Sequence, residues 1–421
     1  MRNKPLRVAV IARAVRSLHG QGGLERSVHD LVRHLAARDV DVTLITPPPD
    51  GRHRASTTDP FASPRITLRQ VPYATFPFAN RRGTTIVDRS TAYPLFGWRA
   101  GRLALALARA GKIDIVHAFG AAGLGYALGR RQGDPPLVVN PQGLEEFGAS
   151  AEALPRLKRW GYAPLRAAVR ATSRRADAII ATDRALEPVV TRHLRPAAGQ
   201  MVTIPNGIDL VEVSGLAGAA EGLLLRHTYG IGAGETVLLS VGRLEQNKGF
   251  DVMARALGQA ARPGGPLSAY GWRWVLAGAG PYRSVIQSVV QATHLEAHVI
   301  FAGRVSDADL HAWYEAATVF VHPTRYEGSS LVTLEAMAHR RPIIATRAGG
   351  LPDKVRPNIN GWLVEPGSVS ALTEALGAAA AARSSLVGLG AASRRIVEEE
   401  FSWAVLVDRQ IALYNDLLGR A

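Results

Sequence analysis

The amino-acid sequence predicts an α/β protein with two doubly wound domains, each built on a parallel sheet. The chain has 421 residues, which is too long for one ordinary hydrophobic core. Short apolar runs alternate with helical patterns, as in parallel sheets with helical crossovers. This alternation pauses near residue 206 and starts again at residue 236, so the pattern occurs twice.

The first half carries seven predicted strands and one clear helix. Val28, Val32 and Leu35 recur at helical spacing directly after the first strand, and Glu25 lies in the first turn. The strands are predicted at residues 6–12, 41–46, 66–71, 113–118, 137–140, 178–182 and 202–205.

The second half carries six further predicted strands and a final amphipathic helix. The strands are predicted at residues 236–241, 273–277, 298–302, 318–322, 342–346 and 362–364. We therefore expect a first domain over 1–205, a linker over 206–235, a second domain over 236–400 and a C-terminal helix over 401–421.

Composition favours a soluble globular protein, with 47% hydrophobic and 20% charged residues. The sequence has no apolar run of membrane-spanning length, and its start lacks the apolar segment of a signal peptide. Cysteine is absent, which excludes disulfides and thiolate metal sites. We expect a cytoplasmic protein that could be peripheral at the inner face of the membrane.

The net charge of +15 has two interpretations, an anionic partner or a GC-rich genome, since 45 arginines accompany only 5 lysines. No nucleic-acid recognition motif supports nucleic-acid binding, which is a remote alternative. Residues 155–176 carry seven basic and no acidic residues, with Trp160, Tyr162, Leu165 and Val169 interleaved. This segment is either an anionic-membrane surface or a solvated basic helix. The basic residues are Arg156, Lys158, Arg159, Arg166, Arg170, Arg174 and Arg175.

Candidate site residues follow the predicted strands, because ligands of doubly wound sheets bind beyond the carboxyl ends of the strands. Gly22 and Gly23 precede the first helix, where backbone amides and the helix N-terminus can bind a phosphate. Arg243 and Lys248 follow the first strand of the second half and could clamp a diphosphate. The alternatives are a flexible loop for the glycines and two solvated cations for Arg243 and Lys248.

A second motif in this half joins a strand to a helix at residues 323–336. Ser329 or Ser330 can cap that helix, and the amides at Ser330 and Leu331 can face a ligand. Glu327 precedes the helix and Glu335 lies inside it, so the two carboxylates reach different parts of one ligand. The alternative is a capped helix with two exposed glutamates.

Two weaker features complete the candidate set. Gly303 and Arg304 end another strand and could meet a nucleotide base, although an ordinary turn explains them as well. His117 could bind a sugar hydroxyl or be a satisfied histidine at a strand end.

Together these motifs resemble the retaining glycosyltransferases of family 4, which have the GT-B fold of two facing Rossmann-like domains with an inter-domain cleft. The resemblance covers nearly the whole chain. It rests on Gly22-Gly23, Ile204-Pro205-Asn206-Gly207, Arg243 with Lys248, residues 277–281, Phe301-Ala302-Gly303, Glu327 with Glu335, Asn360-Gly361, and Phe401-Ser402-Trp403 before a last helix that would return to the first domain.

The resemblance implies a nucleoside-diphosphate sugar donor, UDP before GDP. Arg243 and Lys248 would hold the diphosphate, with Gly22 and Gly23 approaching from the other domain. Glu327 would contact the donor sugar, and Glu335 would bind the ribose. The leaving phosphate would take the acceptor's proton during attack from the same face. An epimerase or phosphorylase of the same fold stays an alternative.

The acceptor side departs from the family pattern. Phe119 stands where many members have a histidine facing the sugar, and Gln142 stands where many have a His-Gly pair. The acceptor therefore stays unidentified, whether glycan, lipid-linked or small molecule. No cofactor or metal is expected: Asp39 with Asp41 starts a strand, and Asp307 with Asp309 starts a helix, so both Asp-x-Asp pairs are interpreted as structural.

Overall fold

The computed structural model describes residues 4–20, 22–49, 61–73, 85–142, 144–147 and 160–419. The chain divides into two compact units, one formed by Met1–Asn206 with Trp403–Ala421 and the other by Gly207–Ser402. Each unit has its own parallel sheet covered by helices, so the predicted fold class is confirmed.

The first unit contains all seven predicted strands, with each end within two residues of its predicted position. They are β1 (Arg7–Ile11), β2 (Asp41–Thr46), β3 (Ile66–Gln70), β4 (Ile115–Phe119), β5 (Leu137–Asn140), β6 (Ala178–Ala181) and β7 (Met201–Thr203). They pair in parallel in the order β3-β2-β1-β4-β5-β6-β7. The central strands are buried on both faces, which explains their continuous apolar sequences.

In the described part of the first unit, six helices precede the second sheet in the chain. They are α1 (Arg16–His19), α2 (Gly23–Ala37), α3 (Thr85–Arg109), α4 (Leu124–Gly129), α5 (Ala163–Ser173) and α6 (Glu187–Leu194). Helix α3 packs closely on α4. Gly125 permits this approach, since a Cβ there would lie only 2.0 Å from the Trp98 carbonyl oxygen.

The basic segment 155–176 is only partly described, since Arg156, Lys158 and Arg159 lie outside the described residues. In α5, Leu165 and Val169 are buried in the core of the first unit, and Tyr162 packs against that core. Leu165 and Val169 are therefore not available to a membrane, and the membrane interpretation of the rest of this segment stays a prediction. Trp160 is exposed.

The second unit contains the six other predicted strands, with each end within one residue of its predicted position. They are β8 (Thr236–Val241), β9 (Trp272–Ala277), β10 (Val299–Gly303), β11 (Val319–His322), β12 (Ile343–Thr346) and β13 (Gly361–Val364). They pair in parallel in the order β10-β9-β8-β11-β12-β13. The reversal between β8 and β11 places the loops after these two strands side by side.

Nine α-helices of the second unit surround this sheet. They are α7 (Leu210–Leu216), α8 (Ala219–Thr228), α9 (Phe250–Ala260), α10 (Arg283–Ala292), α11 (Asp307–Ala316), α12 (Leu331–Ala338), α13 (Leu351–Lys354), α14 (Val369–Ala381) and α15 (Leu386–Ile396).

The stretch 206–235, predicted as a linker, is mostly helical and belongs to the second unit. Asp209 caps α7 by accepting hydrogen bonds from the amides of Val211 and Glu212, both at 3.0 Å. Helix α8 packs on α11, and a Cβ on Gly222 would lie only 2.8 Å from the backbone of α11. Gly222 is therefore needed for the close packing of these two helices.

The last helix, α16 (Trp403–Leu417), belongs to the first unit. Trp403, Leu406, Val407 and Tyr414 are buried in the same cluster as α2 and β1. Arg38 and Asp408 add an ion pair of 2.9 Å between α2 and α16.

His117 is buried in β4, and its Nδ1 lies 2.7 Å from the hydroxyl of Tyr414 in α16. Its ring stacks on Phe119 at 5.0 Å between centroids. A ligand could reach the His117 ring only if this packing opened. The side chain links the sheet to the last helix.

Acid should destabilise the protein through His117. Burial lowers the pKa of His117 to about 3, whereas an unfolded histidine titrates near 6.5. Below pH 6.5 the unfolded chain binds the proton and the folded chain does not, so stability falls by roughly 2 kcal/mol at pH 5. His117→Gln should reduce this pH dependence in urea unfolding compared at pH 7 and pH 5.

The matched control is His294→Asn, a change at an exposed histidine with positive φ. It should leave the acid sensitivity unchanged. Equal pH dependence in wild type and His117→Gln would contradict this account of His117.

Candidate functional site

The candidate site lies at the carboxyl edge of the second sheet, where the loops after five strands meet. Glycines bring the first of these loops together. A Cβ on Gly278 would lie 1.9 Å from the Gly242 carbonyl oxygen, and one on Gly280 would lie 2.3 Å from that of Leu244. The backbone amide of Leu244 also donates to Ala279 at 3.1 Å. The loop after β8 is thereby held against the loop after β9.

The loop after β11 is joined to the segment that carries Lys248. The Arg325 amide and the Thr324 hydroxyl both donate to the Asn247 carbonyl, at 2.7 and 3.0 Å. Gly249 has φ of 67°, and a Cβ there would lie 2.0 Å from the Pro323 carbonyl oxygen. Only glycine fits this approach, which fixes the position of Lys248 beside residues 323–327.

Glu327 is the centre of a polar cluster. The Lys248 ammonium donates to its Oε2 at 2.8 Å, and His322 Nε2 lies 2.6 Å from the same oxygen. The backbone amide of Gly328 donates to Oε1 at 3.2 Å. Oε1 therefore keeps capacity to accept a further hydrogen bond, as from a ligand hydroxyl.

The charges of this cluster are set by its geometry. Burial acts to raise the pKa of Glu327, but the hydrogen bond from His322 and the charge of Lys248 outweigh it, so its pKa lies well below the ordinary value. Burial lowers the pKa of His322, with the Lys248 charge adding to this and Glu327 opposing it. At neutral pH Glu327 is therefore anionic and His322 is neutral.

The loop after β12 supports Glu327 from a third side. Gly349 has φ of 50°, and a Cβ there would lie 1.7 Å from the Glu327 carbonyl oxygen. The Gly350 amide donates to the Gly328 carbonyl at 3.2 Å. The backbone of residues 327–328 is thus fixed by its neighbours before any ligand binds.

Arg243 does not join this cluster. Its side chain is 77% exposed and forms an ion pair of 2.9 Å with Glu245. It lies on the same loop as Lys248, so it could act on a common ligand only by changing this partner.

Helix α12 begins at Leu331 with Ser330 in the N-cap position. The Ser330 hydroxyl bonds to the Thr333 hydroxyl at 2.9 Å and does not cap a backbone amide, contrary to the predicted capping. Ser329 Oγ is buried and has no hydrogen-bond partner among the described residues. The positive end of α12 therefore lacks a side-chain cap.

Glu335 is buried in α12, and its Oε2 accepts a hydrogen bond from the Tyr314 hydroxyl at 2.8 Å. Tyr314 lies in α11, and its hydroxyl is also 3.2 Å from the Val332 carbonyl oxygen. Glu335 and Glu327 are thus held by different partners.

Gly303 ends β10 with φ of 70°, and its carbonyl accepts a hydrogen bond from the Gly278 amide at 2.7 Å. Arg304 follows it and is exposed. Both lie at the same edge of the second sheet as the polar cluster.

Gly22 and Gly23 lie in the first unit, at the N-terminus of α2. Among the described residues the N-cap position, Gly22, provides no side-chain cap, and the Glu25 carboxylate lies so near that a Cβ on Gly22 would be 2.1 Å from its Oε2. An anion at this terminus would first have to displace Glu25.

The first unit contains a separate cavity of about 230 Å³ at the carboxyl edge of its sheet. Phe119 and Gln142, the residues that depart from the family pattern, both line it. Arg13, Arg89 and Glu146 supply its charged groups, and Tyr93 adds an aromatic wall. The guanidinium of Arg13 lies 5.4 Å from the centre of the Tyr93 ring.

Both Asp-x-Asp pairs have structural partners. Arg65 forms ion pairs with Asp39 at 2.8 Å and with Asp41 at 2.9 Å. Ser306 caps α11 by accepting from the Asp309 amide at 3.1 Å. Across the described ranges, no group of three or more acidic or histidine side chains has the arrangement of a metal site.

Sequence reasoning missed His322, Tyr314 and the pair Gly349-Gly350. His322 had a visible signal, because it is the last residue of a buried strand and lies five residues before Glu327. Tyr314 had none, since its contact with Glu335 depends on how α11 packs on α12.

Two family models match this chain in succession. The model described as Glycosyltransferase Family 4 matches residues 21–212, and the model described as Glycosyl transferases group 1 matches residues 235–381. Together they cover most of the sequence: the first match contains β2–β7, and the second contains the whole second sheet.

A curated relative is the GDP-mannose-dependent alpha-(1-6)-phosphatidylinositol monomannoside mannosyltransferase of Mycobacterium tuberculosis. It is 31% identical over 217 residues, which span 50% of this chain and 54% of the relative. The match therefore covers about half the length of that protein.

Two solved structures share the fold over nearly all of both chains. Sucrose-phosphate synthase from Thermosynechococcus elongatus is 24% identical with a TM-score of 0.75 and covers 99% of this chain and all of its own. Anabaena HepE in complex with UDP is 17% identical with a TM-score of 0.71 and covers 98% and 100%.

The matched models and the shared architecture define the class of protein: this chain is a glycosyltransferase with the GT-B fold. It belongs to the family 4 glycosyltransferases, also described as glycosyl transferases group 1.

Proposed function

We propose that this glycosyltransferase binds a nucleoside-diphosphate sugar at the polar cluster of the second unit and transfers the sugar with retention of configuration. The carrying observation is Lys248 bound to Glu327 beside the uncapped N-terminus of α12. A cation and helix amides suit a diphosphate, and an ionised carboxylate with a spare acceptor oxygen suits a sugar hydroxyl.

In this proposal the chain accelerates the reaction by stabilising the charge that grows on the leaving diphosphate. Lys248 and the amides at Ser330 and Leu331 are held in place before the donor binds, so little reorganisation is needed. The acceptor attacks from the face that the diphosphate leaves, and the leaving phosphate takes its proton. Glu327 positions the sugar and stays ionised throughout.

The proposal assigns the site of the diphosphate. Whether the donor is a UDP sugar or a GDP sugar is left to experiment. The curated relative is named for GDP-mannose, and HepE was solved with UDP. The sequence-based order of UDP before GDP stays a prediction. We propose separately that the first-unit cavity binds a polar ring, because arginines, Glu146 and an aromatic wall line it.

The experiment is a thermal-shift screen with UDP, GDP and ADP sugars, followed by mass spectrometry of products with candidate acceptors. A bound donor should raise the melting temperature, because it stabilises only the folded state. Transfer should continue in EDTA, since the proposal uses no metal. A sugar nucleotide that is only isomerised would indicate an epimerase, and a product that requires free phosphate would indicate a phosphorylase.

Replacing Glu335 by Ala should weaken binding of the free nucleotide by about tenfold, because the proposal places this carboxylate at the ribose hydroxyls. Calorimetry with UDP and GDP measures the effect. Tyr314→Phe keeps the carboxylate and should lose less affinity. Unchanged nucleotide affinity in Glu335→Ala would contradict the ribose assignment.

A further inference from the structure

The excess positive charge of this protein lies entirely in one unit. Residues 1–206 and 403–421 contain 33 lysines and arginines against 17 acidic residues, whereas residues 207–402 contain 17 against 18. A composition bias in the genome would raise arginine in both units alike. The excess positive charge is therefore a feature of the first unit and not of the composition as a whole.

Helix α3 in this unit presents an apolar strip to solvent. Val87, Thr91, Leu95, Trp98 and Arg102 are all exposed and recur at spacings of three or four residues; we call this strip the α3 outer face. Trp98 is 43% exposed and Leu95 is 41% exposed, although large apolar side chains are normally buried.

Other exposed side chains extend this surface. Leu128 in α4 is exposed, and α4 packs against α3 where Gly125 meets the Trp98 carbonyl. Trp160 is 80% exposed, and its neighbour Gly161 packs on Ile86 at the start of α3. Two tryptophans and several aliphatic groups thus lie exposed on or beside one helix.

The exposed charged side chains of α3 are basic. Arg99 and Arg102 are exposed, and the Arg102 guanidinium lies 5.9 Å from the centre of the Trp98 ring. The one carboxylate in the sequence of α3 is Asp88, which accepts a hydrogen bond from Tyr73 at 3.4 Å. Tryptophan and arginine together favour the headgroup region of an anionic bilayer.

We propose that the α3 outer face docks the protein on an anionic phospholipid surface. The basic charge of the first unit attracts the bilayer, while Leu95 and Trp98 enter the boundary between headgroups and acyl chains. A second copy of this chain fits less well, because two positively charged faces repel each other. This docking is independent of the proposed donor site.

Among the described residues, no single helix is long and apolar enough to cross a bilayer. The helical segments 369–381 and 383–401 reach that length and apolar composition only when taken together, and they are bent by 73° at the break between them.

The test is co-sedimentation of the full chain with phosphatidylcholine vesicles, with and without phosphatidylglycerol. Wild type should bind only the anionic vesicles and be released by salt, which screens surface charge. Leu95→Gln/Trp98→Gln and, separately, Arg99→Gln/Arg102→Gln should each reduce partitioning by about tenfold or more. Brominated lipid should quench tryptophan fluorescence less in Leu95→Gln/Trp98→Gln than in wild type.

The matched control is Leu223→Gln/Leu224→Gln, which changes two leucines that are 67% and 65% exposed on the nearly neutral second unit. It should bind vesicles like wild type. An unchanged melting temperature shows that each variant is folded. The proposal is overturned if wild type ignores anionic vesicles at low salt, or if the Leu95/Trp98 variant binds normally.

Two other outcomes would also overturn it. Loss of binding in Lys158→Gln/Arg159→Gln, with none in the α3 variants, would assign the membrane contact to the 155–176 segment instead. Self-association of wild type that disappears in the Leu95/Trp98 variant, without vesicle binding, would make the face an interface between copies.

Discussion

Replacing Glu327 by Gln should reduce kcat by roughly 10²–10³-fold while weakening free UDP or GDP by a much smaller factor. The carboxylate keeps its negative charge because Lys248 and His322 hold its pKa low, and the proposal places it at the donor sugar. An interaction made mainly with the transferring group is lost mainly from turnover. Steady-state kinetics and calorimetry on the same samples separate the two effects.

The control for Glu327→Gln is Glu235→Gln, which breaks a partly buried ion pair with Arg273 at 3.1 Å. That pair involves the amino-terminal half of β9, away from the carboxyl edge. The control should keep wild-type turnover. If Glu327→Gln instead weakens nucleotide binding and leaves kcat intact, Glu327 has been placed at the wrong part of the donor.

Replacing Lys248 by Ala should weaken binding of a nucleoside diphosphate by about tenfold or more. Lys248 is the partly buried cation of the cluster, and its loss leaves Glu327 ionised without its ion-pair partner beside the phosphate position. Arg243→Ala should also weaken binding, because we propose that Arg243 leaves Glu245 for the diphosphate. Calorimetry with UDP and GDP measures both.

Arg273→Ala is the matched cation control, since it removes the basic partner of the Glu235 pair. Nucleotide affinity should be unaffected in this variant. An unchanged affinity in Lys248→Ala would show that this loop does not bind the diphosphate. The donor assignment would then lose its basis.

The strands were predictable because buried parallel strands are continuous apolar runs, and all thirteen lie within two residues of their predicted positions. Lys248 and Glu327 were each predicted as site residues from their positions after strands. Their direct contact was not predictable, since they are 79 residues apart and meet because β8 and β11 are neighbours and Gly249 packs on Pro323.

The misplaced features depend on packing that sequence patterns do not record. Residues 206–235 looked like a linker because of their glycines, yet Gly222 allows α8 to pack on α11. Leu165 and Val169 looked available to a membrane, but they face the core. For His117 the sequence left two interpretations open, and the contact with Tyr414 depends on how α16 packs on β4.

The central claim is that the loops after β8 and β11 bind the donor diphosphate. Amide hydrogen exchange of the full chain, with and without saturating UDP or GDP, tests it most directly. Residues 242–250 and 323–335 should exchange more slowly in the complex, because bound phosphates and ribose engage their amides and side chains. A nucleotide that binds by calorimetry yet leaves exchange in both segments unchanged would contradict the claim.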